Sequence, residues 1–164
     1  QGDKAVVEIM QRMGADIAKA ADSVTVNSSA TQATVIDASD CPDIIPVLTV
    51  LAAVSEGTTR IINAGRLRIK ECDRLAAITS ELNKMGAAIT EEAEGLTISG
   101  KPEGLRGGVE ADAWNDHRIA MSLAIAAQCC KEPIILTGAG SVSKSYPDFW
   151  EDYKSVGGKI EVLA

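Results

Sequence analysis

The side chains best suited to chemistry fall in four places. Asp43 stands at the head of an apolar run. Lys70 and Glu71 sit in a segment that also holds Arg66, Arg68, Asp73 and Arg74, which makes four cations within nine residues. Asp116, His117 and Arg118 stand together before a second apolar run, and Lys144 precedes Ser145-Tyr146-Pro147-Asp148. Carboxylates give and take protons, while guanidinium and ammonium groups hold phosphates and carboxylates. Acids set among cations therefore suit proton transfer on an anionic substrate. Every one of these groups falls at an expected helix start. Helix starts offer free N–H groups and a partial positive charge, so added Arg and Lys make anion sites there. If the helix starts converge, the charges form one site.

Plainer explanations compete at each position. An acid at a helix start is an ordinary cap, which covers Asp43, Glu71 and Asp116 taken singly. Arg66, Arg68 and Arg74 could line a solvated face. His117 is the only histidine, and a lone histidine is more often structural than catalytic. Lys144 could be plain surface. The Gly138-Ala139-Gly140 stretch marks a loop and lacks the lysine and spacing of a phosphate-binding loop.

The elements that position these residues follow from a repeat near 72 residues. Met13-Gly14-Ala15 recurs as Met85-Gly86-Ala87, Ile17 as Ile89, and Val24-Thr25-Val26 as Leu96-Thr97-Ile98, all at that offset. Asp43 maps onto Asp116 one residue later, and Gly157-Gly158-Lys159-Ile160 belongs to a third, partial copy, 71 residues after Gly86. Each copy opens with an amphipathic helix. Leu75, Ile78, Leu82 and Met85 share one face of a 3.6-residue period, as do Val6, Ile9 or Met10, and Met13. Phe149, Tyr153 and Val156 do the same in the third copy. A glycine ends the helix. Short strands follow, at residues 23–27 and 34–37. Next comes a helix that is apolar nearly all round and therefore buried, over 44–54 and 119–130. A strand closes the copy, at 60–63 and 134–137. Ser145 is expected to cap the last helix, with Pro147 in its first turn. The expected fold is α/β, with buried helices inside and sheets outside. Residues 1–164 form a single domain of about two repeats and part of a third.

Bulk properties narrow the function. The chain has 164 residues, 46% hydrophobic and only 3% aromatic, so aliphatic side chains must fill the core. Its net charge of -7 disfavours nucleic acid and anionic membranes. No apolar stretch has transmembrane length and no signal peptide is visible. Cys41, Cys72, Cys129 and Cys130 form no C-x-x-C pair, which suggests reduced thiols in a cytoplasmic protein.

Four motifs, in order and spread over the chain, carry a resemblance. Lys70-Glu71-Cys72-Asp73-Arg74 resembles the K-E-x-D-R motif of the EPSP synthases. Asn115-Asp116-His117-Arg118-Ile119-Ala120-Met121 resembles their N-D-H-R-x-A-M motif. Lys144-Ser145-Tyr146-Pro147-Asp148-Phe149 resembles their K-[ST]-[FY]-P-x-[FY] segment, and Pro42-Asp43 their P-D pair. The resemblance implies an inside-out α/β barrel-like domain built from repeated βαβαββ units. It implies a transferase of the shikimate pathway to aromatic amino acids. That enzyme moves the enolpyruvyl group of phosphoenolpyruvate to the 5-hydroxyl of shikimate 3-phosphate, without metal or organic cofactor. In this family glyphosate occupies the phosphoenolpyruvate site.

The resemblance also implies roles. Asp43 accepts the hydroxyl proton, and Glu71 exchanges a proton with the methylene carbon. Lys70 binds shikimate phosphate. Arg74, Arg118 and Lys144 hold phosphoenolpyruvate, and His117 lines the site. Some relatives carry asparagine where this chain has Arg66. The family enzyme is longer, so an N-terminal portion is expected as partner, and this chain alone is expected to lack turnover. Two other functions compete. One is enolpyruvyl transfer to UDP-N-acetylglucosamine, which uses the same fold without this combination of motifs. The other is a non-catalytic anion-binding module, which would have no need of Asp43 and Glu71.

Overall fold

A computed structural model describes residues 2–163. Five helices and eight strands alternate along them. The order is α1 (Ala5–Arg12), β1 (Asp16–Lys19), β2 (Val24–Asn27), β3 (Val35–Asp37), α2 (Ile45–Ala53) and β4 (Thr58–Ile62). Then come α3 (Arg74–Lys84), β5 (Ala88–Glu92), β6 (Gly95–Ser99), β7 (Glu110–Asp112), α4 (His117–Ala127), β8 (Ile135–Thr137) and α5 (Phe149–Ser155). The succession helix, hairpin, strand, helix, strand occurs twice. The helix that opens each copy ends at a left-handed glycine, Gly14 at φ 86° and Gly86 at φ 101°.

The sheets cut this repeat in a different phase. One four-stranded sheet has the order β3-β4-β6-β5. It joins the parallel pair of the first copy (Val35 opposite Arg60) to the hairpin of the second (Thr59 opposite Ile98, Ile89 opposite Ile98). β3, α2, β4, α3, β5 and β6 thus make one complete βαβαββ unit. The hairpin β1-β2 and the parallel pair β7-β8 stand as separate two-stranded sheets. The consequence is visible in burial. Leu96 and Ile98 on β6 are fully buried, while their repeat equivalents Val24 and Val26 on β2 are 52% and 58% exposed.

The core lies between the helices and the inner face of the large sheet. α2, α3 and α4 pack on one another, and α2 and α3 lie against the hairpin β5-β6. On β4 the side chains alternate, with Thr59 and Ile61 buried and Thr58 and Arg60 exposed. Leu75, Ile78, Leu82 and Met85 are all completely buried, as their period requires. Burying each such side chain contributes about 1.5–3 kcal/mol relative to exposure. A smaller cluster of Ala113, Ala120, Ala124, Val142, Phe149 and Tyr153 packs α5 against α4.

Three expectations are corrected. Val156 does not share the buried face of Phe149 and Tyr153. It lies beyond the end of α5 and is 84% exposed. The second buried helix ends at Ala127, so Cys129 and Cys130 lie outside it, and Ile125 faces out. Ser145 does not cap α5. That helix starts at Phe149, and its cap position is Asp148, which makes no side-chain cap bond.

Candidate active site

Three chain segments converge where α2, α3 and α4 begin. Pro42 starts a 3-10 turn that runs Pro42–Ile44 into α2 and carries Asp43 on its outer side. A second 3-10 turn, Gly65–Ile69, leads to Lys70 and Glu71. Asp73 then caps α3 by accepting the Ala76 N–H at 3.1 Å. Arg68 steadies this segment, giving Nη1–H to Asp73 at 2.8 Å and Glu91 at 2.7 Å, and Nε–H to the Ala93 carbonyl at 2.9 Å. Asp116 caps α4, accepting the N–H of Arg118 at 2.8 Å and of Ile119 at 3.4 Å. The result is a cleft of about 240 Å³ lined by Asp43, Lys70, Glu71, Arg74, His117 and Arg118. Six of the seven residues proposed from sequence line it. The seventh, Lys144, stands at its rim, with Nζ 3.5 Å from Glu71 Oε2.

Capping accounts for Asp116 alone among the three acids that it could have explained. Neither Asp43 nor Glu71 accepts a helix N–H. Both carboxylates remain free to meet cations or a ligand.

Arg74 organises the cleft. It is 3% exposed and lies between two carboxylates. Its Nε–H goes to Asp116 Oδ2 at 2.7 Å, Nη2–H to Asp116 Oδ1 at 3.3 Å, and Nη1–H to Asp43 Oδ1 at 2.8 Å. Lys70 Nζ also lies 3.2 Å from Asp43 Oδ1. Burial would raise the Asp43 pKa, but Lys70 and Arg74 outweigh it and hold the carboxyl below its ordinary range. The same balance holds at Asp116, where burial is outweighed by Arg74 and the two backbone N–H groups. Burial first, with Asp116 beside it, pushes the Cys72 thiol up to about 12, so Cys72 is inert as a nucleophile.

His117 Nδ1 lies 2.7 Å from Glu71 Oε1, but the approach is too bent for a formed hydrogen bond. Lys144 Nζ donates to the Asn115 carbonyl and, at 3.0 Å, to Asn115 Oδ1. Arg118 pairs weakly, with Nη2 3.9 Å from Asp3. Among the described residues its other side-chain donors meet no acceptor. Lys70, Arg74, Arg118 and Lys144 face Asp43, Glu71 and Asp116, which leaves the cleft one net positive charge in a chain of net charge -7. That local charge is opposite in sign to the chain's net charge and favours an anion over a cation there.

Glu71, Asp116 and His117 bring three potential metal donors within 4.8 Å of one another. Asp116 is a poor ligand there. Both its oxygens already accept hydrogen bonds, and the Arg74 guanidinium beside it repels a cation. Sequence reasoning passed over Glu81, which lies behind the cleft and is 1% exposed. Its signal was a carboxylate three residues after Ile78, on the buried stripe of α3.

Among the described residues, no helix is long and apolar enough to cross a membrane. The family model for EPSP synthase (3-phosphoshikimate 1-carboxyvinyltransferase) matches residues 1–153. A 3-phosphoshikimate 1-carboxyvinyltransferase of Clostridium novyi is 56% identical over 161 residues, covering 98% of this chain and 37% of the relative. One from Clostridium beijerinckii is 58% identical over 162 residues, with the same shares covered. Among solved structures, an EPSP synthase from Acinetobacter baumannii superposes with a TM-score of 0.90 at 30% identity, over 99% of this chain and 41% of that one. The enolpyruvyl transferase NikO from Streptomyces tendae shares the fold, with a TM-score of 0.80 at 24% identity. The chain spans about 37% of the length of these clostridial relatives. With its four motifs gathered around one cleft, the chain belongs to the EPSP synthase family.

Proposed function

We propose that this chain supplies one wall of a 3-phosphoshikimate 1-carboxyvinyltransferase active site. The observation that carries the reading is the pairing of two uncapped carboxylates, Asp43 and Glu71, with four cations in one cleft. The reaction needs a group that takes the proton of the 5-hydroxyl of shikimate 3-phosphate as its oxygen bonds to the central carbon of phosphoenolpyruvate. It needs a second group that gives a proton to the methylene carbon, making a methyl group. Phosphate then leaves, and a methyl proton returns to the second group as the enol ether forms. Asp43, held ionised by Lys70 and Arg74, is the acceptor. Glu71, set between His117 and Lys144, is the group that gives and regains the carbon proton. Lys70 holds the shikimate phosphate near the hydroxyl. Arg118, Lys144 and the two Arg74 N–H groups not bound to carboxylate hold phosphoenolpyruvate, whose charges suit forked guanidinium contacts.

The rest of the relatives' length completes the site. Two features support this. Among the described residues the donors of Arg118 are largely unmatched, and Val24 and Val26 are exposed where Leu96 and Ile98 are buried. We place the protein in the cytoplasm, on its four free cysteines. The test mixes the chain with the remaining portion of the Clostridium novyi relative and follows phosphate release from the two substrates. Release is expected, and Glu71→Gln or Arg118→Ala should cut it by about 10² or more. Wild-type pieces that associate but release no phosphate would refute the reading.

A further inference from the structure

Glu81 sits on the buried side of α3 and lines no part of the cleft. A carboxylate that deep needs partners. Lys84 Nζ donates to its two oxygens at 2.9 and 2.8 Å. The Trp114 indole Nε1–H reaches Oε1 at 2.9 Å, and the Asp112 backbone N–H reaches Oε2 at 3.1 Å. Burial alone would raise the Glu81 pKa; Lys84, Trp114 and Asp112 reverse the sign and hold it low.

The partners matter because of where they lie. Between β7 and α4, Trp114 and Asn115 both take left-handed backbone, with φ 51° and 52°. Two such non-glycine residues in succession are strained and persist only where neighbours hold them. Asp112 Oδ1 accepts the Trp114 N–H at 2.6 Å, and Glu81 holds the indole. The turn then delivers two contacts to the cleft. Asn115 presents its carbonyl and its Oδ1 to Lys144. Asp116 follows at once and receives Arg74.

We propose that Glu81 is a positioning residue that clamps the turn at Trp114 and Asn115, so that Lys144 and Arg74 present their charges at fixed places in the cleft. The inference rests on the reading of the cleft given above. Glu81 touches no substrate. Its influence passes through Asn115 and Asp116 to the cations assigned to phosphoenolpyruvate, and leaves in place Lys70, which pairs with Asp43 and touches neither residue of the turn. Loss of the clamp therefore weakens one substrate and spares the other.

The test uses Glu81→Gln, which keeps volume, and Trp114→Phe, which keeps the ring and removes its donor. In the reconstituted enzyme each variant should raise KM for phosphoenolpyruvate at least about fivefold, with KM for shikimate 3-phosphate within about twofold. The double variant should be no worse than the worse single, because the Trp114 indole acts through Glu81. A merely structural role would reduce the folded fraction and lower kcat with both KM values unchanged, and that result overturns the proposal. A second arm needs no turnover. In nitrogen-15 NMR of this chain, Glu81→Gln should move the Asn115 and Lys144 signals and leave Lys70 unmoved. Unmoved Asn115 and Lys144 signals would also overturn it. If wild-type pieces release no phosphate, the functional reading fails, while the NMR arm still decides on the clamp.

Discussion

Asp43 and Asp116 occupy equivalent places in the repeat, and the fold uses them differently. Both open a buried helix and both grip Arg74. Asp116 is fully buried and spends its oxygens on Arg74 and on two helix N–H groups. Asp43 sits inside a proline-led 3-10 turn, caps nothing and is 38% exposed. The difference comes from the residue before each. Pro42 starts a turn whose cap position is Cys41, so the Asp43 side chain is released from capping. Asn115 delivers Asp116 straight into the cap position. Repeating one element thus produced a carboxylate bound into a helix cap and one left uncapped, on opposite sides of a single arginine.

That comparison can be broken or sharpened in order of effect. Asp43→Ala in the reconstituted enzyme should lower turnover by about 10²–10⁴, measured as phosphate release. The same substitution should change urea-unfolding stability by less than about 1 kcal/mol, since the Asp43 side chain is 38% exposed and Arg74 keeps both of its bonds to Asp116. Asp116→Ala should do the reverse in stability. Removing a cap and two of the three carboxylate bonds of buried Arg74 costs about 3–5 kcal/mol, read from the urea midpoint at constant slope.

The pH dependence should differ as well. The folded pKa of Asp116 lies below its unfolded value, so its stabilisation is present above about pH 4 and is lost as pH falls through the folded pKa. The stability gap between wild type and Asp116→Asn should narrow below about pH 4 in denaturant titrations at stepped pH. A gap that stays constant would mean the charge is not what stabilises. The smallest effect belongs to Val156→Ser, within about 0.5 kcal/mol, against about 3–5 kcal/mol for Tyr153→Ala, both by thermal or urea unfolding.

Periodicity made much of this legible from sequence. The stripe Leu75, Ile78, Leu82 and Met85 is completely buried, and the charged helix starts do meet. What periodicity could not carry is side-chain partnership. The repeat sets Asp43 and Asp116 side by side as equals and is silent on which one loses its oxygens to backbone N–H groups. Val156 kept its period, but the helix beneath it stopped at Ser155. Ser145 had the right chemistry for a cap, three residues too early. Glu81 looked like an ordinary charged helix residue, because its indole partner lies 33 residues away in sequence. The phase of the sheets was hidden for a related reason. A strand repeat does not say which neighbour its edge will join.

The most direct single test is phosphate release by Asp43→Asn in the reconstituted enzyme, with its urea midpoint recorded on the same preparation. The account predicts a midpoint close to wild type and release reduced by about 10² or more. Release near the wild-type rate would show that Asp43 is a second framework carboxylate, and the division drawn between the two aspartates would be wrong.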